Sequence, residues 1–181
     1  MHLFDIDFPG KITFKESDSL TGGSELATVT IGDIKIGLGI CYDIRFDELA
    51  KLYRKEGCNM LIYPGAFNLT TGPIHWELLG RARAMDSQCY VAVCSLARDV
   101  NFSYVAWGHS MFIDPWAKVT SNAGPFEEVI FGNIGNKTNY VDKIEINILI
   151  ITDLSEVKEV RASIPLFDQR RTDLYDTILK K

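Results

Sequence analysis

The stretch IKIGLGICYDIRFDELAKLYRKE, Ile34 to Glu56, decides the architecture of this chain. Its first seven residues, Ile34 to Ile40, are β-rich and end directly at Cys41. From Arg45 to Glu56 the period changes: Phe46, Leu49, Ala50 and Tyr53 recur at helical spacing with charges between them, which predicts a helix with one buried face. Upstream, Ala27 to Ile31 is a second β-rich run, and Gly32-Asp33 has the composition of a tight hairpin turn joining the two strands. A cysteine at a strand-to-helix connection is therefore the central feature.

Further along, Met60 to Tyr63 is a short apolar run stopped by Pro64-Gly65, which fits a buried strand opening into a loop. The loop Ala66 to Pro73 is rich in small polar residues. Ile74 to Ser87 favours a helix, Gln88 to Ser95 reads as another buried strand, and Gly108 to Ile113 begins a further one. Strand and helix alternate, the signature of an α/β protein. After Gly124 the pattern weakens: Glu127 to Phe131 can pair as a strand, and Gly132 to Asn139 reads as a loop. Ile144 to Ile151 is a strong strand candidate and Leu154 to Arg161 a short helix. No internal repeat or low-complexity tract is present.

The 181 residues predict one domain with a single core. A net charge of -5 gives no concentrated positive surface for nucleic acid or anionic membranes. Arg170, Arg171, Lys180 and Lys181 read as a solvated tail. No window approaches the roughly 18 uninterrupted apolar residues of a membrane span, and no export signal is visible. The four cysteines, Cys41, Cys58, Cys89 and Cys94, are thus expected as free thiols in a reducing compartment, cytoplasmic with a mitochondrial location also open. Cys58, Cys89 and Cys94 lie in apolar surroundings and are expected in the core. The Asn-x-Ser/Thr matches at Asn68, Asn101 and Asn136 carry no meaning without a secretory route.

Cys41 is the exception. At the end of a buried strand where a helix begins, backbone N–H groups and the helix dipole favour thiolate over thiol. The Tyr42 N–H can also face an oxyanion on a carbon that the sulfur attacks. The alternative is a small core cysteine, but Asp43, Arg45, Asp47 and Glu48 crowd the next turn, and such groups are costly there unless they pair or face a solvent-filled pocket.

The run Gly37-Leu38-Gly39-Ile40-Cys41-Tyr42-Asp43-Ile44-Arg45-Phe46 resembles the nucleophile motif of the nitrilase superfamily, in particular its omega-amidase branch. His2-Leu3-Phe4-Asp5, Phe14-Lys15-Glu16-Ser17, Tyr63-Pro64-Gly65-Ala66-Phe67-Asn68, His75-Trp76, Arg81-Ala82-Arg83-Ala84 and Gly108-His109-Ser110 resemble further family segments in the same order. The similarity runs from Met1 to Gly124 and resumes near Leu149 to Tyr175. It implies a four-layer α-β-β-α sandwich, hydrolysis of carbon–nitrogen bonds without cofactor or metal, and dimers or larger assemblies, with a homodimer for the full-length form. Cys41 takes the nucleophile position and Glu16 that of a second glutamate lining the site. The family's general-base glutamate and the lysine of a Tyr-Arg-Lys run have no place in this chain, and Lys11 and Lys15 do not match that run.

By the same resemblance the substrate is a small-molecule amide, such as a 2-oxo dicarboxylic acid monoamide. Arg45 is the expected partner of its remote carboxylate, because a guanidinium fork matches a carboxylate bidentately. The alternative for Arg45 is a structural ion pair with Asp43 or Glu48. Phe67 and Thr71 would close the pocket, with hydrophobic packing the alternative for Phe67. His75-Trp76-Glu77 imitates the His-x-Glu of triad glutamine amidotransferases, but Asp43 stands where their elbow needs glycine. Spacings suited to a zinc site are absent.

The resemblance further implies an α-β-β-α sandwich that is incomplete at its N-terminal side and leaves apolar faces and strand edges uncovered. The stretch near 126–147 reads as an atypical insert, either a surface loop or an error in the predicted coding sequence. Low activity is expected from the missing pair, since an unassisted thiol has a pKa of about 8.5. A non-catalytic interaction module derived from the fold is the alternative.

Overall fold

The computed structural model describes residues 1–8, 12–135 and 153–180. The predicted strand Ile144–Ile151 and residues 136–147 of the atypical insert lie outside the described residues.

Six strands form one sheet in chain order: β3 (Ala27–Ile31), β4 (Ile34–Leu38), β5 (Met60–Pro64), β6 (Tyr90–Cys94), β7 (Met111–Ile113) and β8 (Val119–Asn122). A separate antiparallel pair, β1 (Asp5–Phe8) and β2 (Ile12–Lys15), precedes them. The hairpin β3–β4 closes at Ile31 opposite Ile34, with Gly32 at φ 57° in the turn, as Gly32-Asp33 predicts. β4, β5 and β6 are parallel, whereas β7 and β8 run antiparallel to their neighbours.

The parallel steps are joined by α1 (Asp47–Lys55) and α2 (Glu77–Ser87). Both crossovers advance in one direction across the sheet, so right-handed connections put both helices on one face. Leu49, Ala50 and Tyr53 of α1 and Ala84 of α2 share a core with Leu61, Tyr63, Val91 and Val93. The alternate residues Met60 and Tyr90 point to the other face and pack with Ile34, Ile36, Phe112 and Val157. Val157 belongs to α3 (Ser155–Ser163), the helix predicted at Leu154–Arg161. Each fully buried large apolar side chain contributes roughly 1.5–3 kcal/mol.

Three expectations are corrected. Glu127–Phe131 forms no strand; Val129 and Phe131 are exposed, and the strand pairing with β7 is the more polar Val119–Asn122. Cys94 is exposed rather than in the core, because it is the last residue of β6, beyond the helix-covered part of the sheet. The C-terminal segment is not wholly solvated. The Arg54 and Arg170 guanidinium groups lie over the ring of Phe167 at 4.8 and 4.6 Å, and Lys55 Nζ reaches Asp176 at 2.5 Å. Arg171 is exposed and pairs with Asp173. No helix among the described residues is long and apolar enough to cross a membrane.

Candidate active site

Because β4, β5 and β6 are parallel, their carboxyl ends gather on one side of the sheet, the usual place for a ligand crevice in open α/β sheets. Cys41 lies there with φ 46°. A left-handed backbone at a residue with a Cβ costs roughly 1–2 kcal/mol and persists only when its surroundings impose it.

Asp43 imposes much of it. The residue is 2% exposed, and its carboxylate accepts the N–H groups of Ile40 and His2, each at 2.8 Å. His2 Nδ1 lies 2.8 Å from Oδ1, and the Met1 amino group 3.1 Å from Oδ2. Burial pushes this carboxyl up, but the hydrogen bonds outweigh burial and hold it below the usual carboxylate range. Asp43 thus ties the N-terminal segment to the turn that carries Cys41. Two glycines let the backbones close in. A Cβ on Gly65 would stand 2.7 Å from Cys41 Cα, and one on Gly39 would meet the Tyr63 ring at 2.5 Å.

The dipole expectation is also corrected. Cys41–Arg45 is a five-residue 3-10 turn, and α1 begins only at Asp47. The helix field fades within its first turn, so it reaches the sulfur weakly. Burial pushes the thiol up, the Ala66 N–H donated to the sulfur opposes this, the Glu16 carboxylate raises it further, and Arg45 lowers it; the net position is above an ordinary cysteine. Thiolate is therefore disfavoured.

Glu16 opens a short 3-10 turn after β2, and its Oε2 accepts the Phe4 N–H at 2.8 Å. The ring of Tyr42 meets Phe4 edge-on at 5.0 Å and Phe46 at 5.2 Å, and His2 stacks on Phe46 at 3.6 Å. These rings make one aromatic wall beside the turn.

Arg45 pairs with neither Asp43 nor Glu48, and no carboxylate among the described residues lies within ion-pair distance of it. Its guanidinium sits 4.7 Å over the Phe67 ring and 5.9 Å from Tyr42, with Nη1 3.3 Å from His75 Nδ1. Phe67 is 5% exposed and packs against Trp76 at 5.0 Å, so it is both a core residue and the platform for Arg45. Thr71 is turned toward its own loop, where its hydroxyl and N–H both donate to Asn68 Oδ1. The structure therefore brings together Cys41, Tyr42, Arg45 and Phe67, with Glu16 close enough to act on the thiol. His75 Nε2 is not engaged with Cys41 by any contact that would build a dyad; the imidazole serves Arg45.

Gly65, Ala66 and His75 stand in motifs legible in the sequence but without the roles found here, Gly65 in its close approach to Cys41 and His75 as a partner of Arg45, while Tyr104, whose hydroxyl donates to the Ala66 carbonyl at 2.8 Å, has no signal in the local pattern. The segment 104–107 is laced to the loop after β5, with an isolated bridge between Asn68 and Ala106 and a bond from Trp107 N–H to Phe67 carbonyl at 2.7 Å.

The sequence profile of the Carbon-nitrogen hydrolase family matches residues 1–139, more than three quarters of the chain. The chain belongs to the carbon–nitrogen hydrolase family. Omega-amidase NIT2 of Homo sapiens is 50% identical over 181 residues, the whole of this chain and 59% of that protein. Omega-amidase NIT2 of Danio rerio is 52% identical over 175 residues, 97% of this chain and 57% of the relative. This carbon–nitrogen hydrolase chain thus spans less than two thirds of the length of the curated relatives it matches. Among solved structures, the C. elegans NitFhit protein superposes with a TM-score of 0.84 at 36% identity, covering 100% of this chain and 40% of the other. Nit3 of Saccharomyces cerevisiae, a member of branch 10 of the nitrilase superfamily, gives 0.73 at 41% identity, covering 86% of this chain and 51% of that one. The fold is the α/β fold of that superfamily.

Proposed function

We propose that this chain carries the chemistry of amide hydrolysis, with Cys41 as nucleophile and the amide of a short acid as substrate. The sulfur attacks the amide carbon, the carbon–nitrogen bond breaks, and the nitrogen leaves as ammonia after taking a proton. Water then cleaves the thioester to release the acid and the thiol. Glu16 lines the site, and the Tyr42 N–H is offered to the oxyanion.

The observation that carries the substrate class is Arg45, a guanidinium held by an aromatic face and an imidazole with its charge uncompensated by any described carboxylate. Such a fork suits the remote carboxylate of an acid monoamide, and the relatives named above are omega-amidases. A 2-oxo dicarboxylic acid monoamide fits this reading. With the thiol above its ordinary range, turnover is expected to be slow.

Ammonia release from 2-oxoglutaramate by the chain and by Cys41→Ala tests the reading. Release abolished by the substitution supports it. Absence of release from a folded sample supports the missing glutamate and lysine as the reason, absence of Cys41 thiol reactivity together with co-purification with a full-length relative favours a non-catalytic interaction module, and release that survives Cys41→Ala removes Cys41 from the nucleophile's role.

A further inference from the structure

On the reading that Arg45 receives the acid end of the substrate, we propose that His75 is a positioning residue that holds Arg45 ready for a carboxylate, and does so only while its imidazole is neutral. His75 stands 30 residues from Arg45 in sequence, and its Nδ1 lies 3.3 Å from Arg45 Nη1. A guanidinium carries five N–H donors and no acceptor, so this bond exists in one sense alone: Nη1 donates and Nδ1 accepts. An accepting Nδ1 carries no proton, which fixes the ring as the neutral tautomer with its hydrogen on Nε2. The nature of the partner matters. A carboxylate in this place would cancel the arginine's charge and compete with an incoming acid, whereas a neutral imidazole directs one N–H and leaves the positive charge whole.

The backbone presents His75 firmly. It sits in the π-helical turn Gly72–Trp76, a kind of turn frequent at functional sites. The His75 N–H donates to the Thr71 carbonyl and the Gly72 N–H to the Asn68 carbonyl, both at 2.8 Å. The next residue, Trp76, is buried and donates from Nε1 to the His109 carbonyl at 2.7 Å. The Phe67 ring, 4.7 Å from the guanidinium carbon, supplies the second hold on Arg45. Protonation of His75 breaks this arrangement: a ring with hydrogens on both nitrogens has no acceptor, and two cations then face each other. The other titratable groups around the pair are Cys41, Tyr42 and Asp43 on the turn of Arg45, Glu16 beside the thiol, Tyr104 on the loop laced to Phe67, Glu77 at the start of α2, and His109, whose ring stacks on Trp107 at 4.5 Å. Asp43 is engaged with His2 and Glu77 with Arg81, and no described carboxylate forms an ion pair with His75.

Calorimetric titration with 2-oxoglutarate, a dicarboxylate with no amide bond to cleave, reads this without turnover. Between about pH 8 and about pH 5 carboxylates stay ionised while an imidazole takes up its proton. Over that range binding by the parent chain should weaken about tenfold, in step with protonation of the His75 ring followed through its Cε1–H resonance. His75→Asn places an amide oxygen where Nδ1 stood; it should bind within about twofold of the parent at the alkaline end and show no such fall with pH. His75→Leu, which offers no acceptor, should bind about tenfold more weakly at the alkaline end. Binding that holds level or tightens while the ring protonates overturns the proposal. So does parent-like binding by His75→Leu, or a loss in His75→Asn equal to that in His75→Leu, which would reduce the ring to packing. Arg45→Ala separates the two readings. Loss of binding in that variant with none in His75→Leu removes the role of His75 alone, whereas parent-like binding by Arg45→Ala, or no binding by the parent, removes the Arg45 reading and the role of His75 with it.

Discussion

Both ends of the parallel strands carry cysteine beside arginine, and the two ends are built differently. At the amino ends, Cys58 lies two residues before β5 and Cys89 directly before β6, and both are wholly buried. Burial pushes the Cys58 thiol up to about 11, and it raises that of Cys89 as well. Arg161 from α3 closes this end, donating to the carbonyls of Gln88 at 3.2 Å and Cys58 at 3.1 Å and to Cys89 Sγ at 3.4 Å. Asn59 Oδ1 accepts the Lys35 N–H at 3.1 Å. At the carboxyl ends Cys41 is half-buried, its backbone is left-handed, and among the described residues Arg45 meets π faces and an imidazole but no carboxylate. The same two residue types thus make a structural lock at one end and an open, uncompensated site at the other. Saturation of the arginine's donors separates them.

Removing each arginine gives the sharpest way to break that contrast. Arg161→Ala strips a charged donor from two backbone carbonyls and should lower stability by about 2–4 kcal/mol. Arg45→Ala loses a cation–π contact worth about 1 kcal/mol or less, and should instead weaken binding of acid-bearing amides relative to neutral ones. Equal losses in urea unfolding would erase the distinction between lock and site.

An acid titration probes how the open end is kept in shape. The folded Asp43 carboxyl lies below its unfolded value, so its contribution is fully present above about pH 4 and is lost as pH falls through the folded pKa. Asp43→Asn should therefore be less stable than the parent by about 1–2 kcal/mol at pH 7, and the gap should close on acidification. A gap that persists below that window would assign the effect to shape rather than charge. Smallest is the effect expected at the sheet margin, where β3 is exposed along its length. Val29→Lys should change stability by less than about 0.5 kcal/mol while lowering light scattering. Unchanged scattering would mean that self-association, if any, uses another surface.

The parts of this fold that were readable in the sequence are those with a strong local pattern. The hairpin Ala27–Leu38, the helix at Asp47–Lys55 and the strands at Met60 and Tyr90 follow from apolar period and turn residues. β1, with Asp5 and Asp7 inside it, and β8, Val119–Asn122, carry too few apolar residues to announce themselves. Glu127–Phe131 has the composition of a strand but no place in the described sheet. At the site, the motif around Cys41 picks out the turn, while its hydrogen-bonded partners lie far along the chain. Asp43 binds His2, Arg45 leans on His75, and Tyr104 reaches Ala66. No periodicity encodes such pairs. The dipole expectation failed for a local reason, because a 3-10 turn separates the cysteine from α1.

The positive φ of Cys41 has a consequence for how substitutions at that position should be weighed. Glycine would occupy this backbone without penalty, so the side chain is retained against the conformational preference of the main chain. A Cys41→Ala control keeps that strain and isolates the loss of sulfur, whereas Cys41→Gly would release it and confound loss of chemistry with a gain in stability. The choice of inactive variant thus decides whether an experiment reports on the thiol or on the loop that presents it.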